Sequence, residues 1–324
     1  MTKKKLLLPE TMARPGWDYV KTRTDIEAVA FAINAPIQIF HALLRDADGV
    51  ALTSTPLRAA DIDAAPRLLA VGRIGVGYDA VDVPALNRRR IPLMTCGTDN
   101  SPTVAEYAMF AMLALCRRGA AMDALVRQGR WTERYDNLPT ELLGKTLLIV
   151  GFGRIGTRIA KRCLAMEMKV QVYDPYVSAD AVRAAGCTPV ADLDAALPDA
   201  DFVTLHCPKT PETSNMFNAA RLARMKPTAR LINTARGGIV DEAALYAALT
   251  AEKLAGAGID TFEREPALSD NPLLTLRNVI VGPHMAGNTR ESLDRKSVTV
   301  VRNLLSVLDG KPNREFVVNP EALD

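Results

Sequence analysis

The sequence lacks the features that mark membrane proteins and nucleic-acid-binding proteins. Its longest uncharged apolar run, Tyr107 to Cys116, holds ten residues, about half of what a membrane-spanning helix needs. Leu6 to Leu8 is too short an apolar stretch for a signal peptide. The 40 basic residues are balanced by 37 acidic ones, and the basic run at 88–90 is interpreted as a solvated helix end. We expect no membrane and no nucleic-acid partner.

Cysteine and histidine are also scarce. The cysteines form an odd set with no C-x-x-C spacing, which fits neither a disulfide framework nor a zinc site. We therefore expect a reducing, cytoplasmic environment and no metal. The sequence contains only three histidines, His41, His206 and His284. Any reaction that needs an imidazole base thus has few candidates.

The length of 324 residues suits two domains. Up to about residue 98, short apolar runs such as L-L-L-P, D-G-V-A-L-T and I-P-L-M-T alternate with helix-like stretches. This alternation predicts a small parallel α/β domain. From Ser101 to about Arg118, small and apolar residues cover most of a helical circumference, as in a buried helix that connects two domains.

A second α/β series begins at T-L-L-I-V-G-F-G-R-I-G and continues through K-V-Q-V-Y-D, D-F-V-T-L-H, R-L-I-N-T and G-A-G-I-D. The pattern predicts a doubly wound sheet. A last helix, from Thr289 to about Leu308, is apolar on one side and is expected to return the chain to the first domain. The segment from Gly119 to Leu143, with Trp131, is either an exposed excursion or an oligomer contact.

A glycine motif follows the apolar run at 147–150 and leads into a helical pattern at 157–166. Gly151 suits a tight turn, Gly153 lets backbone approach a pyrophosphate, and Gly156 lets helix and strand pack closely. Asp174 lies 18 residues beyond the last glycine, at the end of the next strand pattern. A carboxylate there accepts hydrogen bonds from ribose hydroxyls and repels a 2′-phosphate. We expect NAD rather than NADP.

The residue types needed for hydride transfer to or from a 2-hydroxy acid are a base, a cation for the carboxylate and a group that holds the base. His284, in V-G-P-H-M-A-G-N-T after a strand pattern, is the best candidate base. Arg236 follows another strand and is a candidate for two-pronged carboxylate binding, and the two glycines after it would let a ligand approach the backbone closely. Glu263 and Glu265 are both candidate partners of His284, and periodicity does not choose between them.

These stretches, in their order, resemble the D-2-hydroxyacid dehydrogenase family, in particular the branch with D-3-phosphoglycerate dehydrogenases and glyoxylate/hydroxypyruvate reductases. The motifs are G-R-I-G-V-G-Y-D-A-V-D, V-A-E, L-L-G-K-T-L-L-I-V-G-F-G-R-I-G, N-T-A-R-G-G-I-V-D-E, D-T-F-E-R-E-P and V-G-P-H-M-A-G-N-T. The resemblance implies a Rossmann NAD-binding domain, residues 99–287, inserted in a smaller flavodoxin-like substrate domain, residues 1–98 and 288–324. It also implies a homodimer.

The resemblance further implies a role for individual residues. Arg236 binds the substrate, Glu265 pairs with the base His284, and Glu263 is left at the surface. The N–H groups of Val76 and Gly77 help to grip the carboxylate. The residues implied to contact the cofactor, beyond the three glycines, are Arg154, Ile155, Asp174, Cys207, Thr234 and Asp260.

The expected substrate is a small 2-hydroxy or 2-oxo acid of the glyoxylate or hydroxypyruvate type. D-3-phosphoglycerate is the alternative, because Arg73 stands where phosphate-using relatives often carry a basic residue. At a second position where those relatives commonly carry one, this sequence has Leu52. Val76 disfavours phosphite and Glu265 disfavours formate. Since the sequence given stops at Asp324, no regulatory serine-binding extension is expected. A non-enzymatic NADH-sensing protein resembling the C-terminal-binding corepressors is an alternative that the catalytic triad does not exclude.

Overall fold

A computed structural model describes residues 3–136 and 138–324. The chain forms two compact units. The first comprises the residues up to Asn100 together with Asn288–Asp324, and the second comprises Ser101–Gly287.

The secondary structure alternates between strands and helices along the chain. The strands are β1 (Lys4–Pro9), β2 (Ile26–Phe31), β3 (Gly49–Leu52), β4 (Ala70–Arg73), β5 (Leu93–Met94), β6 (Thr146–Val150), β7 (Lys169–Tyr173), β8 (Thr188–Pro189), β9 (Phe202–Leu205), β10 (Arg230–Asn233), β11 (Gly256–Ile259) and β12 (Val279–Val281). The helices are α1 (Arg14–Val20), α2 (Ile37–Leu44), α3 (Ala59–Asp63), α4 (Val83–Arg88), α5 (Ser101–Arg117), α6 (Gly119–Arg127), α7 (Gly156–Ala165), α8 (Ala179–Ala184), α9 (Leu193–Ala196), α10 (Ala219–Leu222), α11 (Glu242–Thr250) and α12 (Arg290–Leu308).

The sheet of the first unit has the strand order β2-β1-β3-β4-β5, with every neighbouring pair parallel. This is the flavodoxin-like order. Its central strands read as continuous apolar runs because helices cover both faces, and Leu6, Leu7 and Leu8 are fully buried. Helix α12 lies against β3 and β4 and buries the apolar side that its spacing predicted, including Val300 and Leu304.

The sheet of the second unit has the order β12-β11-β10-β9-β6-β7-β8 and is likewise parallel throughout. The strand order reverses between β6 and β9. In doubly wound sheets, ligands bind at such a switch point, beyond the carboxyl ends of the strands. The prediction of two doubly wound parallel α/β sheets is confirmed.

Two strands were missed by the sequence patterns. β2 has a mixed burial pattern that includes the exposed Glu27, and β8 contains only two residues, so neither produces a clear apolar run. Both occupy sheet edges, where one side of the strand has no strand neighbour.

The segment after α5 is helical and exposed. Helix α6 contains no buried residue, and a 3₁₀ helix follows at Trp131–Tyr135. Large apolar side chains that face solvent in this chain include those of Val126, Trp131, Tyr135 and Leu138. Within 3–136 and 138–324, none of the helices is both long and apolar enough to traverse a bilayer. The same residues contain no group of three His, Cys, Asp or Glu side chains placed to hold a metal.

Candidate active site

The glycine loop joins β6 to α7 at the switch point, and its glycines meet different constraints. Gly151 has φ +96°, in the region that favours glycine. A Cβ on Gly156 would lie 2.1 Å from the Gly151 carbonyl oxygen, whereas one on Gly153 would meet nothing within 4 Å. Gly153 therefore stands beside open space close to the N-terminus of α7, where helical N–H groups favour an anion.

Two neighbouring segments hold this loop. One carboxylate oxygen of Asp174 accepts a 2.7 Å hydrogen bond from the Phe152 N–H, and the other accepts from the Tyr176 N–H at 2.9 Å. The α-carbon of Gly151 packs directly on the backbone of His206 and Cys207. Asp174 thus organises both the turn that follows β7 and the glycine loop, and each of its oxygens keeps acceptor capacity.

Buried polar atoms mark the carboxyl ends of the neighbouring strands β9, β10 and β11. Among the described residues, no hydrogen-bond partner is present for His206 Nδ1, Thr234 Oγ1 or Thr261 Oγ1. Native proteins rarely leave such atoms unpaired, and a bound ligand is one way to satisfy them. With the open side of Gly153 and the carboxylate of Asp174, this edge of the sheet fits a dinucleotide. Thr261 was not singled out from the sequence, where nothing separates it from other threonines.

His206 is not suited to acid–base work. Burial lowers its pKa to about 3, so the ring stays neutral at physiological pH. Its Nε2 shares a 2.9 Å hydrogen bond with Thr204 Oγ1.

The His284 and Glu265 side chains form a pair. His284 Nδ1 lies 2.8 Å from Glu265 Oε2, and Glu265 Oε1 accepts a hydrogen bond from the Phe262 N–H. A carboxylate at Nδ1 selects the tautomer with the proton on Nδ1, which leaves Nε2 as an acceptor. Both side chains are partly open to solvent. Glu263 is exposed and instead exchanges hydrogen bonds with Glu242 at the start of α11.

Asp260 fixes the loop that carries His284. Its carboxylate accepts hydrogen bonds from the Met285 and Ala286 N–H groups at 3.0 and 2.7 Å, and its carbonyl accepts from the His284 N–H. His284 has φ +56°, a conformation that needs such support outside glycine. Burial raises the pKa of Asp260, and the two loop N–H groups oppose that rise.

Arg236 lies on a turn that follows β10. The buried Asn233 holds the turn by donating to the Arg236 carbonyl and accepting from the Ala235 N–H. The sequence suggested that the two following glycines let a ligand approach the backbone, but both are covered by other parts of the chain. A Cβ on Gly237 would lie 1.7 Å from the Phe262 carbonyl oxygen, and Gly238, with φ +77°, is covered by the Lys209 side chain. Gly237 instead lets the Arg236 turn pack against the segment that leads to Glu265.

The remaining candidates lie as follows. Arg154 is exposed, Ile155 and Cys207 are half-buried, and Thr234 and Asp260 are buried. Val76 and Gly77 are half-buried in the loop after β4 of the first unit. His41 Nε2 lies 2.7 Å from Asp61 Oδ1 in the same unit.

Known proteins are similar to this chain in sequence and fold. Residues 109–286 match the model of the D-isomer-specific 2-hydroxyacid dehydrogenase, NAD-binding domain. The chain belongs to the D-isomer-specific 2-hydroxyacid dehydrogenase family. It is 38% identical to a glyoxylate reductase of Korarchaeum cryptofilum over 286 residues, which cover 86% of this chain and 85% of that protein.

Two other family members illustrate its range. A D-3-phosphoglycerate dehydrogenase of Synechocystis is 38% identical over 98% of this chain. The chain spans only 57% of that protein's length. The crystal structure of D-lactate dehydrogenase from Aquifex aeolicus, complexed with NAD and lactic acid, has a TM-score of 0.86 and 28% identity, and covers 97% of this chain and 98% of that one.

Proposed function

We propose that this protein transfers a hydride between NAD(H) and C2 of a small D-2-hydroxy or 2-oxo acid. The observation that carries the proposal is the 2.8 Å pair of His284 and Glu265 in the same unit as a glycine loop with a carboxylate at the next strand end. An imidazole with a free Nε2 can take the hydroxyl proton during oxidation and return it during reduction. Bound NAD supplies the hydride acceptor for the oxidation.

The other site residues bind and orient. Arg236 holds the substrate carboxylate in two-pronged fashion and polarises the carbonyl, and the N–H groups of Val76 and Gly77 grip the same carboxylate. Glu265 keeps the His284 ring in position and in the tautomer that leaves Nε2 as an acceptor. Asp260 holds the loop that carries His284, and its carboxylate would accept a hydrogen bond from the nicotinamide carboxamide.

The cofactor-binding residues are proposed to be those of the glycine loop and the strand ends. The set comprises Gly151, Gly153, Arg154, Ile155, Gly156, Asp174, Cys207, Thr234 and Asp260. We further propose that the predicted domain of residues 1–98 and 288–324 binds substrate and that the predicted domain of residues 99–287 binds NAD.

Asp174→Ala is expected to relax cofactor selectivity. Removing the carboxylate removes repulsion of a 2′-phosphate, so the ratio of kcat/KM for NADH over NADPH should fall about tenfold or more. Because Asp174 also holds the Phe152 N–H, Asp174→Asn is the companion variant that can keep an acceptor for this contact. Asp180→Ala, which removes an exposed carboxylate on α8, is the control. Equal efficiency of the wild-type protein with NADH and NADPH would contradict the assignment.

The substrate is proposed to be of the glyoxylate or hydroxypyruvate type, with D-3-phosphoglycerate as the alternative. Relatives of both kinds match this chain at 38% identity. The two kinds of substrate can be separated by following NADH oxidation at about 340 nm, where reduced nicotinamide absorbs. The acids to compare are glyoxylate, hydroxypyruvate, phosphohydroxypyruvate and longer 2-oxo acids. NADH binding without turnover of any of these acids would contradict the enzyme proposal and favour an NADH-sensing binding protein.

We also propose a cytoplasmic homodimer. The exposed apolar side chains around α6, including Val126, Trp131 and Tyr135, fit a contact with a second copy, since such clusters often mark protein interfaces. Sedimentation equilibrium should give twice the chain mass, and Trp131→Glu should shift the protein towards monomer, whereas Tyr176→Glu, at an exposed aromatic residue elsewhere in the unit, should not. A wild-type monomer at all accessible concentrations contradicts this proposal.

A further inference from the structure

The loop after β4 in the first unit turns two of its carbonyls toward the protein. The Cys96 N–H donates to the Gly75 carbonyl at 3.0 Å, and Arg73 Nε donates to the Gly77 carbonyl at 2.9 Å. Within the described parts of the chain, no group accepts the N–H of Val76 or of Gly77. Successive free backbone N–H groups of this kind bind anions.

Arg73 itself is held firmly in place. It ends β4, and its carbonyl accepts a hydrogen bond from the Cys96 thiol. Burial raises the pKa of that thiol to about 12, so it remains a donor at working pH. Gly72, the preceding residue, packs closely against Val300 of α12. The Arg73 guanidinium is thus attached to a fixed strand end and contacts the loop four residues further along the chain.

We propose that Arg73 is a positioning residue for the carboxylate-binding loop. By holding the Gly77 carbonyl, it keeps the N–H groups of Val76 and Gly77 directed at the substrate carboxylate. Every 2-oxo acid carries that carboxylate, so Arg73 acts on all substrates alike rather than on a phosphate group. This inference rests on the proposed function.

Arginine suits this role because its Nε–H is fixed in a planar group close to the strand. Lysine has a flexible four-carbon stem and one strongly hydrated ammonium group, so it does not reproduce the contact. Arg73→Lys therefore keeps the charge and loses the support of the loop. The substitution separates positioning from electrostatic attraction.

Kinetics provide the first test. Arg73→Lys is expected to raise KM about tenfold for both glyoxylate and phosphohydroxypyruvate, the loss of one charge-assisted hydrogen bond, with a smaller change in kcat and an unchanged Kd for NADH. Arg88→Lys, at an exposed position in the same unit, should leave all these values unchanged. A rise confined to phosphohydroxypyruvate would show that Arg73 binds phosphate and would overturn the proposal.

Amide hydrogen exchange provides a test that does not depend on turnover. In the ligand-free protein, the Cys96 N–H, which donates to the Gly75 carbonyl of this loop, should exchange about tenfold faster in Arg73→Lys than in wild type, while amides within the sheet keep their protection. Unchanged exchange of the Cys96 N–H would overturn the positioning role even in an active enzyme. If no 2-oxo acid is reduced, the proposed function fails, and the exchange result still decides whether Arg73 holds the loop.

Discussion

Replacement of His284 by alanine is expected to lower kcat by about 10² to 10⁴ while NADH still binds, because a general acid–base group contributes about that much to the rate. The structure gives the reason for a selective loss. His284 Nδ1 is engaged by Glu265, so the free Nε2 is the atom that exchanges a proton with the substrate. Stopped-flow reduction of the best 2-oxo acid, with NADH affinity from fluorescence titration, measures the two effects separately.

The backbone at His284 requires a second variant. Its φ of +56° is tolerated better by asparagine than by alanine, so His284→Asn keeps the loop conformation with less strain and removes the imidazole. Both variants should lose kcat to a similar extent. His41→Ala is a matched control, since His41 also pairs with a carboxylate, at 2.7 Å from Asp61. Full activity of His284→Asn would remove His284 from the mechanism.

The sequence identified the candidate site unevenly. His284 and Arg236 stood out because few histidines exist and because both residues follow buried strands. The choice of Glu265 over Glu263 came only from the family resemblance. In the structure the two glutamates, two residues apart, reach His284 and the start of α11 respectively. Such a difference depends on the path of an irregular loop, which no periodicity describes.

The fold was easier to predict from the sequence than the loops. Central parallel strands are buried on both faces, so Leu147–Val150 reads as a continuous apolar run and predicts β6 directly. The glycines after Arg236 show the opposite case. Their sequence suggested that a ligand approaches them, but Gly237 lies so close to the Phe262 backbone on another loop that a Cβ would clash. A contact between segments distant in sequence leaves no local pattern.

Gly156→Ala is expected to lower the free energy of unfolding by about 3 kcal/mol or more, with a drop in Tm of roughly 10 °C. The new Cβ would lie 2.1 Å from the Gly151 carbonyl oxygen and 3.4 Å from the Ile149 side chain. The closest atom belongs to backbone, so a rotamer change cannot relieve the clash. The start of α7 must move away from β6, and the glycine loop must change with it. Thermal unfolding of the ligand-free protein measures the effect.

Gly153→Ala separates the fold from the ligand in the same loop. A Cβ at Gly153 meets nothing within 4 Å, so the free energy of unfolding should stay within about 0.5 kcal/mol of wild type. If the pyrophosphate lies against this residue, the methyl group occupies its place, and the Kd for NADH should rise about tenfold or more. Gly156→Ala with normal stability would contradict the close packing, and Gly153→Ala with normal NADH affinity would move the pyrophosphate elsewhere. The two glycines, three residues apart in one motif, are thus expected to fail in different measurements because one faces backbone and the other faces open space.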